Sequence, residues 1–223
     1  MAKPKLYLSA AAHEHDNPTQ CPVKCGENVH CKEYMDIVEK RMKELGVDVK
    51  HGYRDEVGAI AMEHRVAEAN AWGADLYYVG HTNATGQKDA KVHRSCTLCW
   101  NDKASKEKAA VIGKYRKNLP HVVVERPDLY EIRATKMTCL YDELFFHDNA
   151  EDCRWFHNGG MEQMAEETVK ALCELLDVKY APVVDEVSKL KQENDALRKE
   201  IAALKRNIDL LNDKIDNAKK ALQ

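Results

Sequence analysis

From Lys5 to Leu176 the chain alternates short β-prone runs with segments whose apolar residues recur every three or four positions, and that alternation leaves few folds open. Strand-like runs stand at Lys5–Ser9, Val47–Tyr53, Leu76–Val79, Ser95–Trp100, Pro120–Val124 and Thr138–Leu144. Helical spacing is carried by Cys31, Tyr34, Val38, Met42 and Leu45 after Glu27. It recurs in Val57–Trp72, with Ile60, Val66 and Ala67 inward, and in Ser105–Asn118, with Ala109, Ile112 and Tyr115 inward. Asn149–Phe156 and Gly160–Leu176 complete the set, and Gly46 and Gly73 stop the first two helices. Strands alternating with helices imply an α/β fold: a mostly parallel, twisted sheet flanked by helices on both faces.

The tail follows a different rule. Val187, Leu190, Asn194, Leu197, Ile201, Leu204, Ile208, Leu211, Ile215, Ala218 and Leu222 repeat as a heptad, with mainly β-branched residues at a and leucine at d. That pattern suits a parallel two-stranded coiled coil, and the asparagine at an a position sets register and dimer state. Glu186, Glu193 and Glu200 at g precede Lys191, Arg198 and Lys205 at e by five residues, so each can pair across the interface. Pro182 marks the boundary. The expected organisation is a globular domain over residues 1–180 and a coiled-coil helix over 181–223, joining two chains in parallel through residues 183–222. A single amphipathic helix folded back on the domain is the other arrangement this pattern allows.

A net charge of −3 argues against nucleic-acid binding driven by phosphate contacts. No apolar run approaches the roughly 20 residues that span a bilayer, so no membrane role is expected. The N-terminal Met-Ala-Lys-Pro-Lys leads straight into a strand without the apolar core of a secretory signal. The eight cysteines then read as thiols rather than a disulfide framework. Cys21, Cys25 and Cys31, and the Cys96-Thr97-Leu98-Cys99 pair, have metal-like spacings. Residues three apart on a strand point to opposite faces, however, which weighs against a zinc knuckle at Cys96 and Cys99.

In an open α/β sheet, ligands bind beyond the carboxyl ends of the strands. Leu76-Tyr77-Tyr78-Val79 stops at Gly80, and His81 comes next, before the polar loop Thr82–Gly86. His13 and His15 follow the first strand, Glu27 opens the first helix and Glu143 lies near the end of the last strand. Two histidines and a carboxylate make a catalytic zinc set with a position left for water or substrate, and a further glutamate can serve as general base. The spacings are long, so whether these residues meet is left open by the chain itself.

At these residues the sequence resembles the zinc-dependent N-acetylmuramoyl-L-alanine amidases, the amidase 3 family of peptidoglycan hydrolases, over about residues 5–178. The resemblance is carried by Leu8-Ser9 with His13 shortly after, Gly26-Glu27, Ala69–Leu76, Gly80-His81-Thr82-Asn83-Ala84, Arg126–Arg133 and Glu143–Asp152. It implies His13, Glu27 and His81 as zinc ligands and Glu143 as the catalytic glutamate. Arg133 is then a candidate partner for the developing oxyanion or a substrate carboxylate, with Arg126 and Arg54 in the same class. The implied reaction is hydrolysis of the amide joining the lactyl group of N-acetylmuramic acid to the L-alanine of the stem peptide. The implied partner is peptidoglycan, reached as an endolysin would reach it: made in the cytoplasm and released to the wall.

The chain departs from the family pattern in three places. Ser9-Ala10-Ala11-Ala12 stands where relatives carry a proline- or glycine-containing turn, which makes His15 an alternative first ligand. Phe145 replaces a usual glycine and Asp142 a usual apolar residue, and both are expected to reshape the pocket. A catalytically impaired, wall-binding scaffold dimerised by its coil is the competing function, and a zinc amidohydrolase acting on a soluble peptide is a third. His147 and Asn83 are expected to be structural, Trp72 and Trp100 core, and His30, His51, His64, His93, His121 and His157 surface or helix residues.

Overall fold

A computed structural model describes residues 2–15, 17, 26–88, 90–182 and scattered positions of the C-terminal segment. The strands β1 (Lys5–Ala10), β2 (Asp48–Lys50), β3 (Leu76–Asn83), β4 (Ser95–Cys99), β5 (His121–Glu125) and β6 (Thr138–Phe146) form one sheet in the order β2-β1-β3-β6-β4-β5. Neighbouring strands run parallel except β6 and β4, which are antiparallel. The sheet is therefore mixed, with β1, β3 and β6 ending together on one side.

Helices α1 (Glu27–Glu44), α3 (Lys103–Tyr115) and α6 (Met161–Leu175) cover one face. There Leu6, Leu8, Tyr78, Leu140 and Leu144 of the sheet meet Tyr34, Met35 and Val38 of α1, Ile112 of α3 and Val169 of α6. Helices α2 (Ala59–Trp72) and α4 (Tyr130–Ala134) cover the other face, over Tyr7, Tyr77, Val79 and Cys139. A short α5 (Ala150–Trp155) leads through a kink at Asn158 and Gly159, whose backbone is not helical, into α6. Alternate strand residues point to opposite faces, and each face buries its own set. Cys96 and Cys99, both free thiols, illustrate the rule by belonging to opposite cores.

The structure departs from the sequence reading in instructive ways. Gly80 does not end β3: the strand continues through His81 to Asn83, because β6 runs alongside and pairs Gly80 with Asp142 and His81 with Glu143. A Cβ there would lie 2.6 Å from Met35 Cε of α1, so a larger residue would require that methyl to move aside. On α2 the inward residues are Ala61, Arg65, Val66 and Ala69, whereas Ile60 is 52% exposed and Ala67 is exposed too. The buried face contains a guanidinium, which a count of apolar residues overlooks. Trp100 is also on the surface rather than in the core.

The chain falls into two compact units, Met1–Tyr180 and Ala181–Gln223. Most of the heptad segment lies outside the described residues. Asn194, Leu197, Arg198, Glu200, Ile201, Leu204 and Lys205 are helical, with Leu197, Ile201 and Leu204 exposed. Among the described residues no helix is long and apolar enough to cross a membrane.

Candidate active site

The centre of the site is the carboxylate of Glu27, the first residue of α1 and only 1% exposed. Its Oε1 lies 3.1 Å from His81 Nδ1 and accepts the Thr82 backbone N–H at 2.9 Å. Its Oε2 lies 3.0 Å from His13 Nε2 and accepts from Asn17 Nδ2 at 2.7 Å. The His13 and His81 rings stand nearly perpendicular, 5.1 Å apart. One ligand atom from each of His13, Glu27 and His81 lies within 4.8 Å of the other two. Burial pushes the Glu27 carboxyl upward, but hydrogen bonds to His13, His81 and Thr82 outweigh it and hold the group far below the usual carboxylate range. A permanently ionised carboxylate between two imidazoles is a cation-binding arrangement.

His15 is exposed and outside this group, so His13 is the histidine of the first loop that reaches Glu27. The loop is short of glycine but is held at every step. Arg65, fully buried, donates to the Ala10 carbonyl at 2.6 Å. Ala11 donates to the Gly80 carbonyl at 2.9 Å, and the Ala12 carbonyl accepts from the Gly58 amide at 2.7 Å.

Glu143 sits on β6 in register with His81 on β3. Burial raises its carboxyl to about 7, with His81 opposing the rise and Glu27 adding to it. Its Oε2 is buried without a hydrogen-bond partner. The His81 ring lies against Tyr141, 4.7 Å between centroids, which fixes one wall beside Glu143.

Arg133 is placed elsewhere. It is exposed on α4, donates to the Asp128 carbonyl at 3.1 Å, and lines a cavity of about 300 Å³ with Trp100, Lys136, Thr138 and Cys139. Cys139 precedes Glu143 by four strand residues, about 13 Å at the usual rise. Arg126 grips Asp128 at 2.8 Å, and the Glu143 carboxylate contributes to raising its pKa.

The two residues expected to reshape the pocket face away from it. Asp142 is fully buried on the opposite side of β6, where it meets Arg116 and accepts from Tyr78 at 2.7 Å and Thr97 at 3.1 Å. Phe145 is fully buried against Phe156, 4.6 Å between ring centroids.

His30, expected as a surface or helix residue, and His147, expected as structural, stand close to the site. His30 and His147 are buried and reach Thr82 Oγ1 at 3.0 Å and 2.9 Å, directly behind the Thr82 amide that binds Glu27. His30 lies three residues after Glu27 on α1 and therefore on the same helix face, a signal the spacing did contain. His147 also lines a cavity of about 540 Å³ with Asn17, Ala84, Gly86, Gln87, Lys88 and Asp148. Asp148 Oδ2 fastens the loop beside that cavity by accepting from Thr85 N, Thr85 Oγ1 and Gly86 N at 2.6, 2.7 and 3.1 Å. A second His/carboxylate group, Asp36, Glu39 and His51, is explained by ion pairs, because Arg54 and Lys43 already bind its carboxylates at 2.5 Å each.

The family model for N-acetylmuramoyl-L-alanine amidase matches residues 11–174. No curated protein sequence matches. Among solved structures, the fold resembles the catalytic domain of CwlV, an N-acetylmuramoyl-L-alanine amidase of Bacillus (Paenibacillus) polymyxa var. colistinus. That pair has 21% identity and a TM-score of 0.69, covering 80% of this chain and 100% of the other. The amidase AmiC2 of Nostoc punctiforme has 15% identity and a TM-score of 0.68, covering 79% and 98%. The catalytic domain of an endolysin targeting Clostridia difficile has 18% identity and a TM-score of 0.61, covering 77% and 97%.

Proposed function

The chain belongs to the N-acetylmuramoyl-L-alanine amidase family, and from that premise we propose that it cleaves the amide between the lactyl group of N-acetylmuramic acid and the L-alanine of the stem peptide, using a zinc ion held by His13, Glu27 and His81. The observation that carries this reading is the meeting of one carboxylate and two imidazoles, distant along the chain, with their ligand atoms within 4.8 Å. The donors suit Zn²⁺, which takes His nitrogen and carboxylate oxygen and leaves a position open in catalytic sites. The buried, unpartnered Oε2 of Glu143 fits the same reading, since a polar atom so placed needs a partner supplied by metal, water or substrate.

Bound there, zinc would polarise the scissile carbonyl and acidify a water toward neutrality. Glu143, whose carboxyl titrates about 7, is poised to take the attacking water's proton and return it to the departing amine. The C–N bond breaks as the new C–O bond forms, so the proton ends on the L-alanine nitrogen. Arg126, whose charge Glu143 favours, and Arg133 are the arginines assigned to meet negative charge beside Glu143. The cavity lined by His147 and Lys88 adjoins Glu27 through Asn17 and would receive the stem peptide. His13, Glu27, His81 and Thr82 set the site; Asn83 accepts the His147 amide on its carbonyl at 2.8 Å and so ties the two loops together.

The scaffold alternative loses its motive, because Asp142 and Phe145 are turned away from Glu143. The domain over residues 1–180 is read as catalytic. Residues 183–222 are read as a parallel coiled coil joining two such domains, so that both engage one wall and retention rises by avidity. An endolysin-like route, release from the cytoplasm to the wall, accords with these features. The deciding experiment is zinc-dependent release of stem peptides from purified peptidoglycan, scored as new L-alanine amino termini. Release by the wild type and loss in Glu143→Ala is expected. No release by the wild type, or full release by the variant, removes the assignment.

A further inference from the structure

We propose that Asn28 is a positioning residue for His13, locking the backbone of that histidine so that its imidazole meets Glu27 at the metal position. The inference rests on the reading of His13 as a zinc ligand. His13 follows three alanines where a glycine- or proline-shaped turn is the family habit, so its placement needs another source.

That source is a reciprocal pair of hydrogen bonds. The His13 amide donates to Asn28 Oδ1 at 2.9 Å, and the His13 carbonyl accepts from Asn28 Nδ2 at 2.8 Å. Asn28 is 6% exposed and adjoins Glu27 in the first turn of α1. One helix start thus presents a ligand carboxylate and, from the next residue, the clamp on a second ligand. Both ligands are thereby tied to the same first turn of α1, Glu27 as its first residue and His13 through Asn28. The His13 side chain is 36% exposed, against 11% for His81, so a hold on its backbone bears directly on where the imidazole sits. A carboxamide suits the task because its oxygen and nitrogen, on separate atoms, accept from the His13 amide and donate to the His13 carbonyl at once. Aspartate keeps the acceptor for the His13 amide but meets the His13 carbonyl with a second acceptor.

The test is zinc affinity of the full chain, measured by competition with a chromophoric chelator, for wild type, Asn28→Ala, Asn28→Asp, His13→Ala and the Asn28→Ala/His13→Ala pair. Partners that hold a metal ligand in place typically change affinity by about 10–100-fold. Asn28→Ala should weaken zinc by that factor and Asn28→Asp by less. In the His13→Ala background, Asn28→Ala should add less than about twofold, because its action runs through a ligand already gone. Should Asn28→Ala fail to fold, Asn28→Asp in the two backgrounds gives the same comparison. Equal weakening in both backgrounds, or an Asn28→Ala affinity within about threefold of wild type, overturns the proposal. A wild type that binds no zinc overturns the metal reading itself, whereas zinc binding without peptide release leaves the Asn28 assignment standing.

Discussion

Asp142→Asn tests whether the face of β6 opposite Glu143 is a stability device independent of catalysis. Asp142 and Arg116 are 0% and 1% exposed, and their side chains are in contact. Removing one member of such a buried pair typically costs about 3–5 kcal/mol, because the other is left charged and uncompensated. Two features place this case near the lower end. Arg116 Nη1 keeps the Met164 carbonyl at 3.1 Å, and Glu167 stands 3.9 Å away to share the charge. Asparagine also keeps an oxygen for Tyr78 or Thr97. A loss of about 3 kcal/mol corresponds to a Tm lower by roughly 6–12 °C for a domain this size. Thermal unfolding at pH 7 measures it, alongside peptide release at 20 °C, which should stay within about twofold of wild type. In a double-mutant cycle, Asp142→Asn with Arg116→Gln should cost at least ~1 kcal/mol less than the sum of the singles. A Tm within 2 °C of wild type, additive singles, or a tenfold loss of activity at full stability would each refute the reasoning.

Glu143→Gln should lower kcat by about 10²–10⁴, the usual worth of a general base, while zinc affinity stays near wild type; a parallel loss of metal would place Glu143 among the ligands instead. Stripping zinc with a chelator should lower Tm, because an ion at 100 times its Kd stabilises by about 2.7 kcal/mol, and Glu27→Gln should already show the stripped value and respond no further. Burial lowers the His51 pKa below its ordinary 6.5, so the unfolded chain binds more protons just below that pH and stability falls on acidification from about 6.5. His51→Asn should flatten this acid limb in denaturant titrations between pH 7 and 5.5, and an unchanged slope counts against the assignment. For the tail, sedimentation of the full chain against one ending near residue 180 should show a dimer reduced to a monomer; two monomers would end the coiled-coil reading.

The alternation of strand and helix was legible because burial on both faces of a sheet imposes periods that survive without neighbours. What was not legible depended on partners distant in sequence. Gly80 reads as a strand end, yet it is a contact between β3 and Met35, and only the packing of α1 reveals it. Arg65, on α2, is fully buried because the carbonyls of Ala10, Tyr53 and Glu56 converge on it from the end of β1 and from the loop before α2. The site residues were marked by resemblance, since no spacing along the chain says that residues 13, 27 and 81 meet. The resemblance implied His13 with His15 as the alternative, and what separates them is spatial: His13 Nε2 stands 3.0 Å from Glu27, while His15 is exposed.

Asp142 and Glu143 draw these points together, because they are neighbours in sequence with opposite physical tasks. The strand's two-residue period sends Asp142 into the core and Glu143 to the side of His81, so each carboxylate is judged by different company. Asp142 faces an arginine and two hydroxyl donors that satisfy its charge; Glu143 has an oxygen with no partner and a carboxyl raised to about 7 by burial. An acidic residue in a normally apolar strand position looked like damage to the neighbouring base. On the opposite face it cannot touch that base directly, and Arg116 supplies the counter-charge that makes its burial tolerable. A carboxylate whose charge is satisfied stabilises the fold; one left unsatisfied beside two imidazoles is the group to which the proposed reaction gives the proton.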